Sequence, residues 1–139
     1  MLNLANAELL RKDCDVRILV IDDEFEVREL LQQLFESIGY PVLTAPDGQA
    51  ALRLHRATPV SLIITDIIMP EKEGLETITE FRRHFPAVKI IAISGGGSRG
   101  IKGAKEYLDI ARELGAQKAF LKPFEVGKLL EAVRELLRI

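Results

Sequence analysis

Thiols are nearly absent from this sequence: Cys14 is its one cysteine among 139 residues. An intrachain disulfide is therefore excluded, and a reducing, cytoplasmic setting suits the chain. No set of residues near Cys14 marks it as a reactive thiol. Long apolar stretches are missing too. The apolar runs are strand-length, well short of the ~20 residues that a membrane span needs. The opening MLNLANAELLRKDCDV lacks the basic-then-apolar order of a secretory signal. Charge of one sign is also missing. The 19 basic and 21 acidic residues leave a net charge of −2, which gives no electrostatic reason to expect nucleic-acid binding. No internal repeat, low-complexity tract or linker interrupts the chain. What remains is one ordinary domain's length, 47% apolar, enough to build a core.

From residue 16 onward, strand-like and helix-like patterns alternate. Val16–Ile21 is a compact apolar run. Glu26–Ile38 follows with Val27, Leu30, Leu31, Leu34 and Ile38 at helical spacing, and Gly39 stops it. Pro41–Ala45 reads as a second strand. Asp47 can cap a helix running to about Ala57. Val60–Thr65 is rich in β-formers. Glu73–Phe85 places Leu75, Ile78, Arg82 and Phe85 on one stripe before Pro86 closes it. Val88–Ile93 is nearly all apolar, as expected for a strand covered on both faces. After the glycine-rich stretch SGGGSRGIK comes Gly103–Leu114, with Tyr107, Leu108, Ala111 and Leu114 inward. Gln117–Leu121 is the fifth strand, and Glu125–Arg138 a final amphipathic helix with Val126, Leu129, Leu130, Val133, Leu136 and Leu137. Five such β/α pairs with short links imply an α/β fold: a flavodoxin-like (βα)5 domain around a parallel sheet of order 2-1-3-4-5. The domain is expected over residues 16–139. Residues 1–15 form an N-terminal extension, in which Ala5–Lys12 is either a short helix resting Leu9 and Leu10 on the domain or a loose tail.

The topology makes five scattered positions informative. Asp22, Asp23, Asp66, Ser94 and Lys122 all lie at the C-terminal ends of strand-like runs. In an open parallel sheet these ends share one edge, where ligands bind. Three carboxylates, one hydroxyl and one ammonium would meet there. That is a divalent-metal site with a counter-charge for an anion. Adjacent carboxylates repel unless a cation sits between them. A hard ion such as Mg²⁺ takes oxygen ligands, one or two of them carboxylates. Taken singly, each residue has a plainer reading: Asp22 and Asp23 as caps favoured by a helix dipole, Asp66 as a turn aspartate, Lys122 as a solvated cation. Their conjunction is far more specific. Pro123 argues for a fixed turn that aims Lys122, a cis bond being one way to make it. The run from Gly95 to Gly100 matches G-x-G-x-x-G formally, but after the fourth strand instead of the first, so a loop that can rearrange beside the site is the better reading. His55 and His84 fall on helices away from these ends and read as surface or half-buried residues.

Together these residues resemble the receiver domain of two-component response regulators. The segment Arg17-Ile-Leu-Val-Ile-Asp-Asp-Glu24 looks like its first strand and acidic pair. Thr65-Asp-Ile-Ile-Met-Pro70 with Gly74 looks like its phosphoacceptor strand and loop. Ile93-Ser94 matches the hydroxyl switch position, and Phe120-Leu-Lys-Pro-Phe124 the lysine-proline motif. The resemblance covers about residues 16–139. It implies a phosphoryl switch that is not an enzyme beyond catalysing its own phosphorylation and dephosphorylation. Asp66 would be the phosphoacceptor, taking its phosphoryl group from a sensor histidine kinase or a histidine phosphotransfer protein. Mg²⁺ would be held by Asp23 and Asp66, by Asp22 through water, and by the backbone carbonyl of Ile68. Lys122 and Ser94 would contact the phosphoryl group, and the bond between Lys122 and Pro123 would be cis. The face made by the fourth helix, fifth strand and fifth helix would then change which downstream protein binds.

Two features depart from the family pattern. Its members often carry Tyr or Phe three residues before the lysine, where this chain has Ala119, with Phe120 beside it. The stretch from Ser94 to Gly115 is longer than in compact relatives, and the added glycine-rich loop is expected to be mobile without phosphate. Starting at Met1 and ending with the fifth helix, the sequence reads as a stand-alone receiver, an excised piece of a longer regulator being the alternative. Arg134, Glu135 and Arg138 on the last helix suit a monomer or a weak homodimer. Two other function classes stay open: a Mg²⁺-dependent aspartyl phosphohydrolase, disfavoured because the D-x-D spacing after the first strand is missing, and a phosphate-independent interaction module.

Overall fold

A computed structural model describes residues 16–67, 73–95 and 104–138. Five strands pair in parallel in the order β2-β1-β3-β4-β5. They are β1 (Ile18–Ile21), β2 (Val42–Ala45), β3 (Leu62–Asp66), β4 (Lys89–Gly95) and β5 (Lys118–Lys122). Between and after them run α1 (Phe25–Ser37), α2 (Gly48–Ala57), α3 (Glu73–His84), α4 (Ala104–Leu114) and α5 (Val126–Leu136). The expected architecture and strand order are both observed. Element ends differ from the sequence expectation by one or two residues.

Side chains alternate across a sheet, so two cores form. Ile18, Val20, Leu62, Ile64, Ile91 and Ile93 face α1 and α5. Leu19, Ile21, Ile63, Ile90 and Ala92 face the α2–α3–α4 side. With both faces covered, β1 and β3 are buried along their whole length, which explains their unbroken apolar runs. The helix ends follow local chemistry. Asp47 Oδ1 accepts from the Ala50 N–H at 2.8 Å, capping α2 as expected. Gly39 follows α1 with φ +99°, the left-handed conformation that favours glycine.

Several helix faces differ from the sequence reading. In α1 the fully buried side chains are Leu31 and Phe35, whereas Leu30 is 66% exposed and Ile38 lies at the surface edge. In α3, Phe81 joins Ile78 in the core. Phe81 stands three residues after Ile78, so the same periodicity contains it. Arg82 lies beside the core and donates to the carbonyls of Pro86 and Gly115, each at 2.7 Å. In α5, Leu129, Ala132 and Val133 are buried while Val126 is half exposed. His55 is buried, contrary to the surface or half-buried expectation. Its ring packs edge-on against Phe81 and Phe85, and its Nδ1 accepts from the Val60 N–H at 3.0 Å. His84 is exposed and pairs with Glu80 one turn earlier.

Candidate functional site

The strand parity that builds the cores also aims the polar residues. Asp22 continues the Ile18–Val20 row, Asp66 the Leu62–Ile64 row, and Lys122 the Phe120 row. All three therefore belong to the α1–α5 side and meet where their strands end. Ser94 continues the Ile90–Ala92 row, on the other parity. Gly95 pairs with Lys122 across β4 and β5, and a Cβ there would stand 3.8 Å from the lysine Cδ.

Oxygen atoms of Asp22, Asp23 and Asp66 all fall within 4.8 Å of one another. Asp22 and Asp66 are buried, and Asp23 is exposed. Lys122 reaches over both buried acids, with Nζ 3.7 Å from Asp22 Oδ2 and 3.6 Å from Asp66 Oδ2. These separations are longer than a direct hydrogen bond, so one ammonium is shared between two carboxylates. The charge balance is unfavourable. Burial pushes the Asp22 carboxyl up to about 6. The Glu24 N–H, donating to Asp22 Oδ1 at 2.8 Å, pulls against this. Asp66 and Asp23 push it further up, and Lys122 opposes them. An all-oxygen donor set with too little positive charge fits a hard divalent cation.

The backbone around the acids is held by residues whose part the sequence did not reveal. Arg28, one turn into α1, donates to the Asp22 carbonyl at 2.7 Å. The Thr65 hydroxyl donates to the Asp66 carbonyl at 3.1 Å. Neither contact has a sequence signature. Gly74 does: a Cβ at this position would lie 2.5 Å from the Asp66 carbonyl oxygen and against the Ile67 backbone. Only glycine lets α3 begin that close to the acid.

Ser94 is fully buried, and its Oγ has no hydrogen-bond partner among the described residues. A buried hydroxyl without a partner is costly, and such groups are rare outside functional sites. Ala119 packs on the α2–α3–α4 side, whereas Phe120 lies on the α1–α5 side with its ring 5.8 Å from that of Phe124. Phe120 therefore does not replace the aromatic missing at position 119. The peptide between Lys122 and Pro123 is cis. The structure thus brings Asp22, Asp23, Asp66 and Lys122 together, and Ser94 stands near the end of β4 at the same edge of the sheet, opposite Leu121 of β5. Ile68, the glycine-rich loop after Gly95, Cys14 and the 1–15 extension lie outside the described residues.

A family model of the response regulator receiver domain matches residues 18–134. The chain belongs to that family. This receiver is 34% identical over 124 residues to the probable transcriptional regulator ycf27 of Cyanophora paradoxa, a match covering 88% of the chain and 48% of the relative. It is also 34% identical to the transcriptional regulatory protein CpxR of Klebsiella pneumoniae, over 88% of the chain and 49% of that protein. The chain spans about half the length of the curated relatives it matches. Among solved structures, a receiver domain protein from Clostridium thermocellum superposes with TM-score 0.76 at 27% identity, covering 88% of this chain and 94% of that one. The response regulator TrrA of Thermotoga maritima, solved in complex with Mg(2+)-BeF, superposes with TM-score 0.71 at 34% identity, covering 87% of this receiver and 98% of that chain. Among the described residues no helix is long and apolar enough to cross a membrane.

Proposed function

We propose that this receiver takes a phosphoryl group onto Asp66 and uses the resulting acyl phosphate to switch its protein contacts. One observation carries the reading: a buried acid, Asp66, shares a single lysine with a second buried acid, and Asp23 closes the cluster. A carboxylate oxygen of Asp66 attacks phosphorus of a phosphohistidine on a sensor histidine kinase or a histidine phosphotransfer protein. The P–O bond forms, the P–N bond breaks, and the imidazole leaves. Phosphoryl transfer of this kind depends on positioning and on neutralising charge at the equatorial oxygens. Lys122 supplies one positive charge. Asp22, Asp23 and Asp66 would hold Mg²⁺, which supplies the rest when bound. The complex of Thermotoga maritima TrrA with Mg(2+)-BeF supports this assignment. The Ser94 Oγ, without a partner among the described residues, is suited to donate to a phosphoryl oxygen, which would draw on the backbone that follows β4. With Ala119 and Phe120 placed as they are, the switch works without a rotating aromatic beside Ser94. In this reading the domain acts on no substrate but its own phosphoryl group, and its output is contact with a downstream protein.

The test is Mg²⁺-dependent labelling by acetyl phosphate, followed by intact mass. One added phosphoryl group is expected, absent in Asp66→Asn and absent after chelation. No labelling of folded, Mg²⁺-bound protein would overturn the reading and favour a phosphate-independent module. Sustained hydrolysis of small phosphate esters would instead favour a phosphohydrolase.

A further inference from the structure

The hydrogen-bonded ladder of β1 ends at Asp22. The Asp22 N–H still donates to the Ala45 carbonyl at 3.2 Å, and Asp22 Oδ1 accepts from the Glu24 N–H. The Asp22 carbonyl lies beyond Ile21, the last residue of β1 in register with β2 and β3. The Arg28 guanidinium takes that carbonyl, with Nη1 at 2.7 Å. The oxygen belongs to the peptide that joins Asp22 to Asp23. A peptide is planar, so holding its oxygen fixes the plane from which Asp23 leaves. Asp22 and Asp66 are confined by burial, whereas Asp23 is exposed and its aim depends on its backbone. Arg28 starts from a firm base, its own N–H donating to the Glu24 carbonyl in the first turn of α1. Its guanidinium carbon stands 5.7 Å from the centre of the exposed Phe25 ring, a cation–π contact that steadies it.

We propose that Arg28 is a positioning residue of the metal site. It sets the peptide between Asp22 and Asp23 so that Asp23 joins Asp22 and Asp66 within 4.8 Å, and Phe25 holds the guanidinium to that task. The inference rests on the reading of these acids as a Mg²⁺ site. Charge and position have opposite signs here. A guanidinium acting only as a nearby positive charge repels a divalent cation, so its removal would tighten Mg²⁺ binding. A guanidinium that aims a ligand leaves binding weaker when it is removed. A side chain that merely supports the fold changes stability and leaves the Mg²⁺ affinity of the folded protein alone.

The experiment is a Mg²⁺ titration of the full chain followed by amide NMR, with urea unfolding to establish that each variant is folded. Arg28→Met should raise the Mg²⁺ Kd by about 10-fold. Arg28→Lys keeps the charge and loses the planar fork, so a smaller rise there isolates geometry from charge. Phe25→Ala should raise the Kd by about two- to threefold. Labelling by acetyl phosphate should slow in Arg28→Met at limiting Mg²⁺ and recover at saturating Mg²⁺. An unchanged or lower Kd in Arg28→Met overturns the proposal. So does slow labelling that saturating Mg²⁺ does not restore. If Arg28→Met does not fold, Arg28→Lys decides, and a Kd equal to the parent's overturns the proposal. A parent protein that binds no Mg²⁺ overturns this inference together with the metal site. A parent that binds Mg²⁺ without being labelled overturns only the phosphoryl reading, and the Kd comparison still decides the part of Arg28.

Discussion

The two poles of this sheet treat buried polar groups in opposite ways. At the N-terminal ends of the strands each has a close partner. His55 Nδ1 takes the Val60 N–H, Gln117 Oε1 takes the Ile90 N–H at 2.7 Å, and Arg82 closes on the carbonyls of Pro86 and Gly115. At the C-terminal ends, acids crowd one another, one lysine is split between two of them, and the Ser94 hydroxyl has no partner among the described residues. The first pole adds to stability. The second retains unused capacity to bind charge, at a cost in stability, as functional sites do. The same fold and the same backbone hydrogen bonding serve both ends, so side chains alone make the difference.

Substitutions can break that comparison, beginning with the largest expected effect. Gly74→Ala puts a methyl against the Asp66 and Ile67 backbone, which cannot yield as a flexible side chain would. A loss of about 3 kcal/mol is expected, measured by urea unfolding, together with a marked loss of acetyl phosphate labelling. Full stability in that variant would show that α3 can start further from the acid.

Acidity should separate the poles by sign. Asp22 is raised from 3.8 to about 6 in the folded chain. The folded state therefore holds its proton more tightly, and Asp22 makes stability fall as pH rises from about 4 to about 6, by on the order of 2–3 kcal/mol. His55 is lowered from 6.5, chiefly by burial and then by Arg56. It makes stability fall as pH drops below that ordinary value, because the unfolded chain takes up the proton first. Urea midpoints across pH 4–8 in chelator should show Asp22→Asn flattening the first slope and His55→Gln flattening the second. Identical profiles in both variants would remove the contrast.

Smaller effects sharpen it further. Gln117→Ala leaves the Ile90 N–H without its partner and should cost about 1–2 kcal/mol. Ser94→Ala removes a buried hydroxyl that has no partner among the described residues, so stability should stay unchanged or rise by up to ~1 kcal/mol. The phosphorylated form of Ser94→Ala should nevertheless fail to show the amide shifts after β4 that the parent protein gives. A clear loss of stability in this variant would mean that the hydroxyl already has a structural partner.

Much of this was legible in order along the chain. Alternating periodicity gave the five β/α pairs and, through the topology of open parallel sheets, the convergence of Asp22, Asp23, Asp66, Ser94 and Lys122 on one edge. Helix faces are less legible. Spacing puts Leu30 inward and does not single out Phe35, because a stripe of apolar residues does not say which side of itself meets the sheet. For the same reason spacing does not tell Phe81, which is buried, from Arg82, which is not. The burial of His55 depends on Phe81 of α3 and on Phe85 just past the end of that helix, both remote from it in the sequence.

By itself, then, the sequence determined the strand order, the cap at Asp47, the turn at Gly39 and the identity of the charged residues at the strand ends. These follow from local periodicity and from rules that hold for any right-handed β/α alternation. Tertiary structure alone decided how one ammonium divides between two acids, that Arg28 and Thr65 hold the backbone carbonyls of Asp22 and Asp66, that Gly74 must be glycine, and that Ser94 is buried without a partner among the described residues. Distance, desolvation and the presence of a hydrogen-bond partner are properties of groups brought together in space. No spacing along a chain records them.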